Sequence, residues 1–183
     1  MSVWLTARGA GLSALILLTV STALGALVSR RGRPGARYVA QYVHRTCAGL
    51  GLGVLVLHVA TILADSYAHV GVSGALVPFT SSYRATAIAL GTIAAYLFLA
   101  VAAVGLARGR MAASERAVRA WRGIHALAYA GWALALVHGF TAGTDSDVGW
   151  VRLIYLGCLV AVGGAVATRL SRPIAVRAQG ALR

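Results

Sequence analysis

The chain has 183 residues, which is enough for one domain or a small bundle of membrane-spanning helices. Hydrophobic residues make up 59% of it and charged residues 11%, with a mean hydropathy of +0.78, values that exclude disorder and a water-soluble globule. The net charge of +13 raises nucleic-acid binding as an alternative, but the Arg residues flank apolar segments and form no single basic face, so we predict no nucleic-acid partner.

Five apolar segments are each long enough to cross the roughly 30 Å hydrocarbon core of a bilayer as a helix. They cover residues 9–29, 45–64, 85–107, 124–141 and 150–168. Strand-like alternation is absent, and lipid cannot satisfy an open sheet, so we predict an all-α bundle of five transmembrane helices in a single domain, 1–183. The first segment is longer than a signal peptide and Arg30 and Arg31 follow it, so we expect it to be retained.

The basic residues, all of them Arg, are distributed unevenly between the two sides of this bundle. One side carries Arg30, Arg31, Arg33, Arg37, Arg45, Arg108, Arg110, Arg116, Arg119, Arg122, Arg169, Arg172, Arg177 and Arg183. The other side carries Arg8, Arg84 and Arg152 with Asp65, Asp145 and Asp147. The positive-inside rule therefore predicts a bacterial cytoplasmic-membrane protein with its N-terminus outside, its C-terminus in the cytoplasm, and Arg contacts to anionic lipid.

Four of the five histidines fall within two predicted spans, where an ionisable residue is costly and usually functional. His44 and His58 lie on the second span, and His125 and His138 lie on the fourth. The pairs are separated by rises of about 21 Å and about 19.5 Å along a helix. Because the two spans run in the same direction, we expect His44 to face His125 and His58 to face His138.

Two imidazoles that face each other at one depth suit the two axial positions of a haem iron. The sequence therefore predicts two b-type haems, an inner one held by His44 and His125 and an outer one held by His58 and His138. The chain has no C-x-x-C-H motif, so covalent attachment is not expected.

Helix phase fits one of the two spans better than the other. His44 and His58 lie about 40° apart around a helix, and Gly51 is midway on the same face, where it would let a flat ring approach the backbone. His125 and His138 lie about 140° apart on a straight helix. Helix tilt, a local distortion, or haems on different sides of the axis would reconcile the second pair.

The spacing His-x13-His followed by His-x12-His two helices later resembles the ferric-reductase-like transmembrane domain. That family includes NADPH oxidases, ferric-chelate reductases and the haem subunit of the bacterial methionine-sulfoxide reductase system. The resemblance covers residues 40–142, and the stretches 76–84, 121–125 and 138–145 are similar to small bacterial members. It implies two stacked bis-histidine haems and electron flow from inside to outside.

The chain departs from the larger members of that family, because it has five spans instead of six and no G-x-G-x-x-G stretch for a flavin and nicotinamide domain. A separate donor is then required, either a flavoprotein reductase or quinol in the membrane. We expect an electron-transfer subunit that delivers electrons to ferric iron, oxygen or an extracytoplasmic partner flavoprotein. Two other hypotheses stay open: a small transporter whose histidines relay protons, and a haem-containing assembly or anchoring subunit.

Several other residues have an ordinary interpretation beside a functional one. Arg84, at the outer start of the third span, is predicted to bind a haem propionate or to anchor the chain at the interface. The same two interpretations apply on the inner side to Arg45, Arg119 and Arg122. Trp132, between the two levels, would either aid electron transfer or pack, and packing is the simpler expectation.

The two cysteines and the fifth histidine carry weaker expectations. Cys47 and Cys158 lie in apolar runs and are expected to be small buried residues. His69 lies in the longest outer loop and is expected to be an ordinary loop residue. That loop is partly apolar, so we expect it to pack back on the bundle as a cap.

Overall fold

The computed structural model describes residues 2–27, 34–66, 69–112 and 114–180, and within these ranges it contains helices and no strand. The helices are α1 (Ser2–Leu27), α2 (Pro34–Ala64), α3 (Gly71–Leu76), α4 (Ala85–Leu106), α5 (Arg108–Met111), α6 (Glu115–Ala142) and α7 (Gly149–Gly180). In the part of the chain described, α1, α2, α4, α6 and α7 are long and apolar enough to cross a membrane. This confirms the predicted all-α chain with five spans.

Some of the arginines that carry the topology prediction cannot be located. Arg30, Arg31, Arg33 and Arg183 lie outside the described residues. For Arg172 and Arg177 only the backbone is described.

The helices extend beyond the apolar segments that predict them. α2 begins at Pro34, a residue type favoured at the first helical position. α6 begins at Glu115, where the Ser114 side chain accepts a hydrogen bond from Ala117 N at 3.1 Å and caps the helix. Hydropathy marks only the part of a helix that lies in the hydrocarbon layer, whereas capping groups decide where the helix starts. The apolar segments that begin at residues 45 and 124 therefore start later than the helices that contain them.

α1 is the central helix of the bundle, because it packs against α2, α6 and α7, while α4 packs against α6. The buried core joins apolar side chains from α1, α4, α6 and α7. It consists of Leu12, Leu15, Leu18, Phe98, Trp132, Val151, Tyr155, Cys158 and Val162. Cys158 is buried as expected, Cys47 is half-buried, and both are free thiols.

α2 and α6 run in the same direction but share hardly any backbone contact within the described ranges. Their shared direction follows from the side chains, since His44 faces His125 and His58 faces His138. Residues 115–142 form one continuous helix. No break in α6 is therefore needed to bring both of its histidines to α2.

The loop between α2 and α4 folds back onto the bundle. Val70 is buried, and Thr92 of α4 donates a hydrogen bond to Ala75 O at 3.1 Å. Tyr96 of α4 donates to Leu76 O. These contacts hold α3 against α4, so the loop covers part of the bundle.

Candidate functional site

Two pairs of histidine side chains face each other across the gap between α2 and α6. The ring centroids of His44 and His125 lie 6.1 Å apart, with 62° between the ring planes. Those of His58 and His138 lie 6.3 Å apart, with 74° between the planes. The structure thus brings together the predicted inner pair and the predicted outer pair.

The outer rings are oriented by hydrogen bonds to backbone carbonyls of neighbouring helices. His58 Nδ1 donates to Ala7 O of α1 at 2.7 Å, and His138 Nδ1 donates to Ala87 O of α4 at 2.7 Å. A carbonyl only accepts, so Nδ1 carries the proton and Nε2 keeps its lone pair. The two ring nitrogens point in roughly opposite directions, so Nε2 is turned away from the supporting helix, as in histidine ligands held by an outer-shell partner.

His44 is oriented in the same way by Ser21 of α1. His44 Nδ1 donates to Ser21 O at 2.8 Å and lies 3.0 Å from Ser21 Oγ. The Ser21 hydroxyl donates in turn to His44 O at 3.1 Å. Hydrogen bonds to Ser21 of α1 therefore hold both the side chain and the backbone carbonyl of His44.

His125 is held differently from the other three. Its Nδ1 is buried with no hydrogen-bond partner among the described residues, although the carbonyl of Val101 lies nearby. The ring instead stacks on Trp121, with centroids 5.1 Å apart and 18° between planes. Arg108 lies 5.0 Å from the centroid of the Trp121 ring, close enough for a cation–π contact. Stacking on Trp121 therefore orients this ring in addition to the nearby Val101 carbonyl.

A glycine lies beside each of the four rings. On α1, a Cβ built on Gly11 would lie 3.0 Å from Cε1 of His58, and one built on Gly25 would lie 3.3 Å from Cε1 of His44. On α4, a Cβ built on Gly91 would lie 2.7 Å from Cε1 of His138, and one built on Gly105 would lie 3.8 Å from Cε1 of His125. Each glycine stands four residues after the residue whose carbonyl faces the ring, and in an α-helix residue i+4 lies directly over the carbonyl of residue i. A side chain there would obstruct the ring, so the missing Cβ is what lets imidazole reach the carbonyl.

The separation of the facing rings distinguishes a shared metal from a direct hydrogen bond. A metal–imidazole bond is about 2 Å long, so two rings on opposite sides of one metal have centroids roughly 6.2 Å apart. Rings joined by a hydrogen bond of about 2.9 Å between nitrogens would have centroids roughly 5 Å apart. The observed 6.1 Å and 6.3 Å match the first distance.

The number of ligands at each level distinguishes haem iron from a bare metal ion. In the described ranges no group of three or more His, Cys, Asp or Glu side chains is placed to hold a metal ion. Side chains that bind a bare transition-metal ion usually number about three or four. A haem iron needs only axial ligands from the protein. Two imidazoles at one depth are therefore a suitable set of protein ligands for a haem iron.

A cavity adjoins the outer pair. It has a volume of about 130 Å³ and opens on one side to the surroundings. His58, His138 and Gly91 line it, together with mostly apolar side chains of α1, α4 and α6. The outer pair of imidazoles therefore lies beside a mostly apolar cavity.

A polar cluster that the sequence analysis assigned only to topology lies at the outer end of this cavity. Arg8 of α1 lines the cavity and forms an ion pair with Asp145. The exposed fractions of these side chains are 12% and 29%, so the pair is mostly removed from solvent. Tyr155 of α7 lines the same cavity. α1, the segment after α6, and α7 therefore meet beside the outer histidines.

Other predicted site residues lie away from the facing rings. Gly51 packs against α1, because a Cβ there would lie 3.0 Å from the Leu18 side chain. Arg84 Nη1 donates to Thr141 O at 2.5 Å, so its guanidinium lies at the C-terminal end of α6. Trp132 is buried in the core. Its indole N–H donates to the Thr19 hydroxyl at 2.9 Å, in agreement with a packing role.

The remaining candidates lie at the surface. On the inner side Arg45, Arg119 and Arg122 are exposed, and Arg119 lies 3.5 Å from Glu115. His69 has a left-handed backbone, with a φ of 48°, and its carbonyl accepts a hydrogen bond from Ser82 at 3.2 Å.

The supporting glycines were missed, although the sequence carries a signal for them. Gly11 and Gly25 are 14 residues apart on α1, and Gly91 and Gly105 are 14 residues apart on α4. The separation of the two histidines on α2 is the same. The separation of two glycines on one span therefore equals the separation of two histidines on another span. This match would have identified the glycines that lie beside the rings.

Comparison with known proteins adds a family but no activity. Residues 2–145 match the family described as Domain of unknown function (DUF8596). No curated protein and no solved structure matches the chain, so the resemblance to ferric-reductase-like domains stays a prediction. The matched stretch runs from α1 to α6 and includes all four paired histidines. Because it covers more than half of the sequence, the chain belongs to the DUF8596 family.

Proposed function

We propose that this protein is a multi-pass membrane cytochrome of the b type. His44 and His125 would hold an inner haem, and His58 and His138 would hold an outer haem. When bound, the two haems supply one-electron carriers at two depths of the membrane. In this function the protein is an electron-transfer subunit of the ferric-reductase-like kind, with its donor on a separate protein or in the membrane.

The observation that carries this proposal is the separation of the facing rings. Both centroid distances, 6.1 Å and 6.3 Å, fit two imidazoles on one metal ion and exceed the separation of hydrogen-bonded rings. A proton relay between the paired histidines would need the shorter separation. The occurrence of the same distance at two levels also disfavours a chance encounter of polar side chains.

The residues of the chain perform three tasks in this function. The carbonyls of Ala7, Ser21 and Ala87 hold the proton on Nδ1 and so keep Nε2 available as a ligand. The glycines beside the rings allow that contact. Apolar side chains around the outer pair exclude water.

The charge distribution supports the orientation. At the end of the bundle near His58 and His138, Arg8 pairs with Asp145 and Arg152 pairs with Asp147, so positive charge is offset there. The opposite end carries many exposed Arg residues, with Glu115 the sole acid among the described residues there. By the positive-inside rule the inner pair lies near the cytoplasm, the N-terminus lies outside and the C-terminus lies inside a bacterial cytoplasmic membrane.

Electrons then move from the cytoplasmic side to the outer side. The donor is a separate flavoprotein or a membrane quinol, because the chain has no nicotinamide-binding motif. The acceptor outside is ferric iron, oxygen or the flavin of a partner protein. Reconstituted vesicles test the direction: reductant sealed inside should reduce an impermeant ferric chelate outside in the wild type and not in the His58→Ala variant.

Spectroscopy of the purified protein tests the proposal as a whole. The wild type should bind two haems per chain, with b-type bands after reduction by dithionite. His44→Ala and His58→Ala should each retain one haem. Either variant should retain none if loss of one haem also prevents the other site from binding haem. His69→Asn is the matched control, since Asn tolerates the left-handed backbone of that loop position, and it should keep both haems. A folded, helical wild-type protein that binds no haem would refute the function.

A further inference from the structure

Two buried polar atoms at the outer end of the cavity have no hydrogen-bond partner among the described residues. They are Nε of Arg8 and the hydroxyl oxygen of Tyr155. Both residues line the cavity that contains His58 and His138. Tyr155 is 6% exposed, and a buried donor without an acceptor costs about 1 to 3 kcal/mol. The two atoms therefore point to an acceptor that the described residues do not supply.

The surrounding residues leave this acceptor position open. Asp145 pairs with Nη2 of Arg8 and leaves Nε unused. The Tyr155 hydroxyl lies close enough to Arg8 to interact with it, but a guanidinium only donates hydrogen bonds, so the phenol O–H has no acceptor among the described residues. On α6, a Cβ at Gly139 would lie 2.8 Å from the Tyr155 hydroxyl, and just after α6 a Cβ at Gly143 would collide with the Arg8 guanidinium. The two glycines thus make room for two polar side chains beside the outer histidines.

The chemistry of the two donors identifies the class of ligand. A guanidinium has donors and no acceptor, and the phenol offers one donor. Arginine binds carboxylates through charge-assisted hydrogen bonds. The lining of the cavity contains no Asp or Glu that could serve instead. We propose that Arg8 and Tyr155 form a carboxylate-binding site at the outer end of the His58/His138 cavity.

The carboxylate has two sources. It is either a propionate of the outer haem, in which case the site rests on the proposed function, or a small free carboxylate that enters the open side of the cavity. Haem and haem dimethyl ester, in which both propionates are esterified, distinguish the two. The test uses the full chain in detergent with the His44→Ala substitution, so that only the outer histidine pair titrates.

If a propionate is the ligand, haem should bind about 10- to 100-fold more tightly than its diester, since a charge-assisted hydrogen bond is lost. Arg8→Gln and Tyr155→Phe should remove that preference and leave diester binding unchanged. Tyr155→Phe keeps the edge contact with Phe140, whose ring centroid lies 5.8 Å away, so it tests the site even if Arg8→Gln does not fold. Arg152→Gln, which removes an exposed ion pair on the same side, is the matched control and should behave as wild type.

If a free carboxylate is the ligand, haem and its diester should bind equally. Acetate should then change the tryptophan fluorescence of the haem-free protein, through Trp4 in the cavity lining, and Arg8→Gln should weaken that response about tenfold or more. The site would be overturned if the wild type, Arg8→Gln and Tyr155→Phe all bound haem, the diester and acetate equally well. The haem function would then remain intact. A wild type that takes up no haem would refute the function, and the acetate response alone would then decide the site.

Discussion

Gly91 of α4 and His138 of α6 approach each other more closely than a side chain at position 91 would permit. A Cβ on Gly91 would lie 2.7 Å from Cε1 and Nδ1 of His138. The equivalent Cβ on Gly105 would lie 3.8 Å from Cε1 of His125, at ordinary van der Waals distance. The same helix therefore supports the outer ring by close contact and the inner ring more loosely.

Gly91→Ala should displace the His138 ring and break its hydrogen bond to Ala87 O. We expect a loss of about 1 to 3 kcal/mol of stability, the usual cost of overpacking, and reduced haem binding at the outer pair. Gly105→Ala is the matched control, and it should raise stability by about 0.5 to 1 kcal/mol because alanine favours a helix. Thermal unfolding followed by circular dichroism and the haem content of each variant measure both effects. Equal behaviour of the two variants would contradict the close contact.

The pairing of the histidines could be predicted from the sequence, because the helical rise converts the spacings in each span into nearly equal differences in depth. The supporting glycines could not be assigned in the same way, since the period of one helix does not show which neighbour packs against it. Gly51 illustrates this limit. It shares a helix face with His44 and His58, yet it packs against Leu18 of α1.

Arg84 is predicted to stabilise the C-terminal end of α6. Its guanidinium donates to Thr141 O at 2.5 Å and to Gly143 O at 3.4 Å, and a cation there also interacts favourably with the helix dipole. Arg84→Gln should lower the free energy of unfolding by about 1 kcal/mol, while the haem content stays at the wild-type value. If the outer haem is lost and stability is unchanged, Arg84 binds the cofactor instead.

The two ion pairs at the outer end should differ in their contribution to stability. Arg8–Asp145 has exposed side-chain fractions of 12% and 29%, whereas Arg152–Asp147 has 58% and 95%. Asp145→Asn leaves a mostly buried guanidinium without its counter-ion and should cost about 2 kcal/mol or more. Asp147→Asn should cost less than about 1 kcal/mol, and less still at high salt. Unfolding of both variants at two salt concentrations checks this order, which equal losses would contradict.

The Arg8–Asp145 pair also shows why part of the site escapes prediction from sequence. The two residues are 137 positions apart, and each alone is compatible with an interfacial residue that contributes to topology. Burial makes Arg8 a candidate for the site, and burial depends on how α1 packs against α6 and α7. No local pattern around position 8 contains that information.

The hydrogen bond between Trp132 and Thr19 should stabilise the contact of α6 with α1 without any effect on cofactor binding. Thr19→Val leaves the buried indole N–H without an acceptor and should cost about 1 kcal/mol, near the range measured for hydrogen bonds between membrane helices. Adding Trp132→Phe removes the unpaired donor as well, so the double variant should lose less than the sum of the two single losses. Thr168→Val is the control, because the Thr168 hydroxyl bonds only to Ala165 O within its own helix. If the stability losses of the two substitutions in thermal unfolding were strictly additive, the hydrogen bond would contribute nothing. A change in the haem spectrum of Thr19→Val would assign Trp132 a role beyond packing.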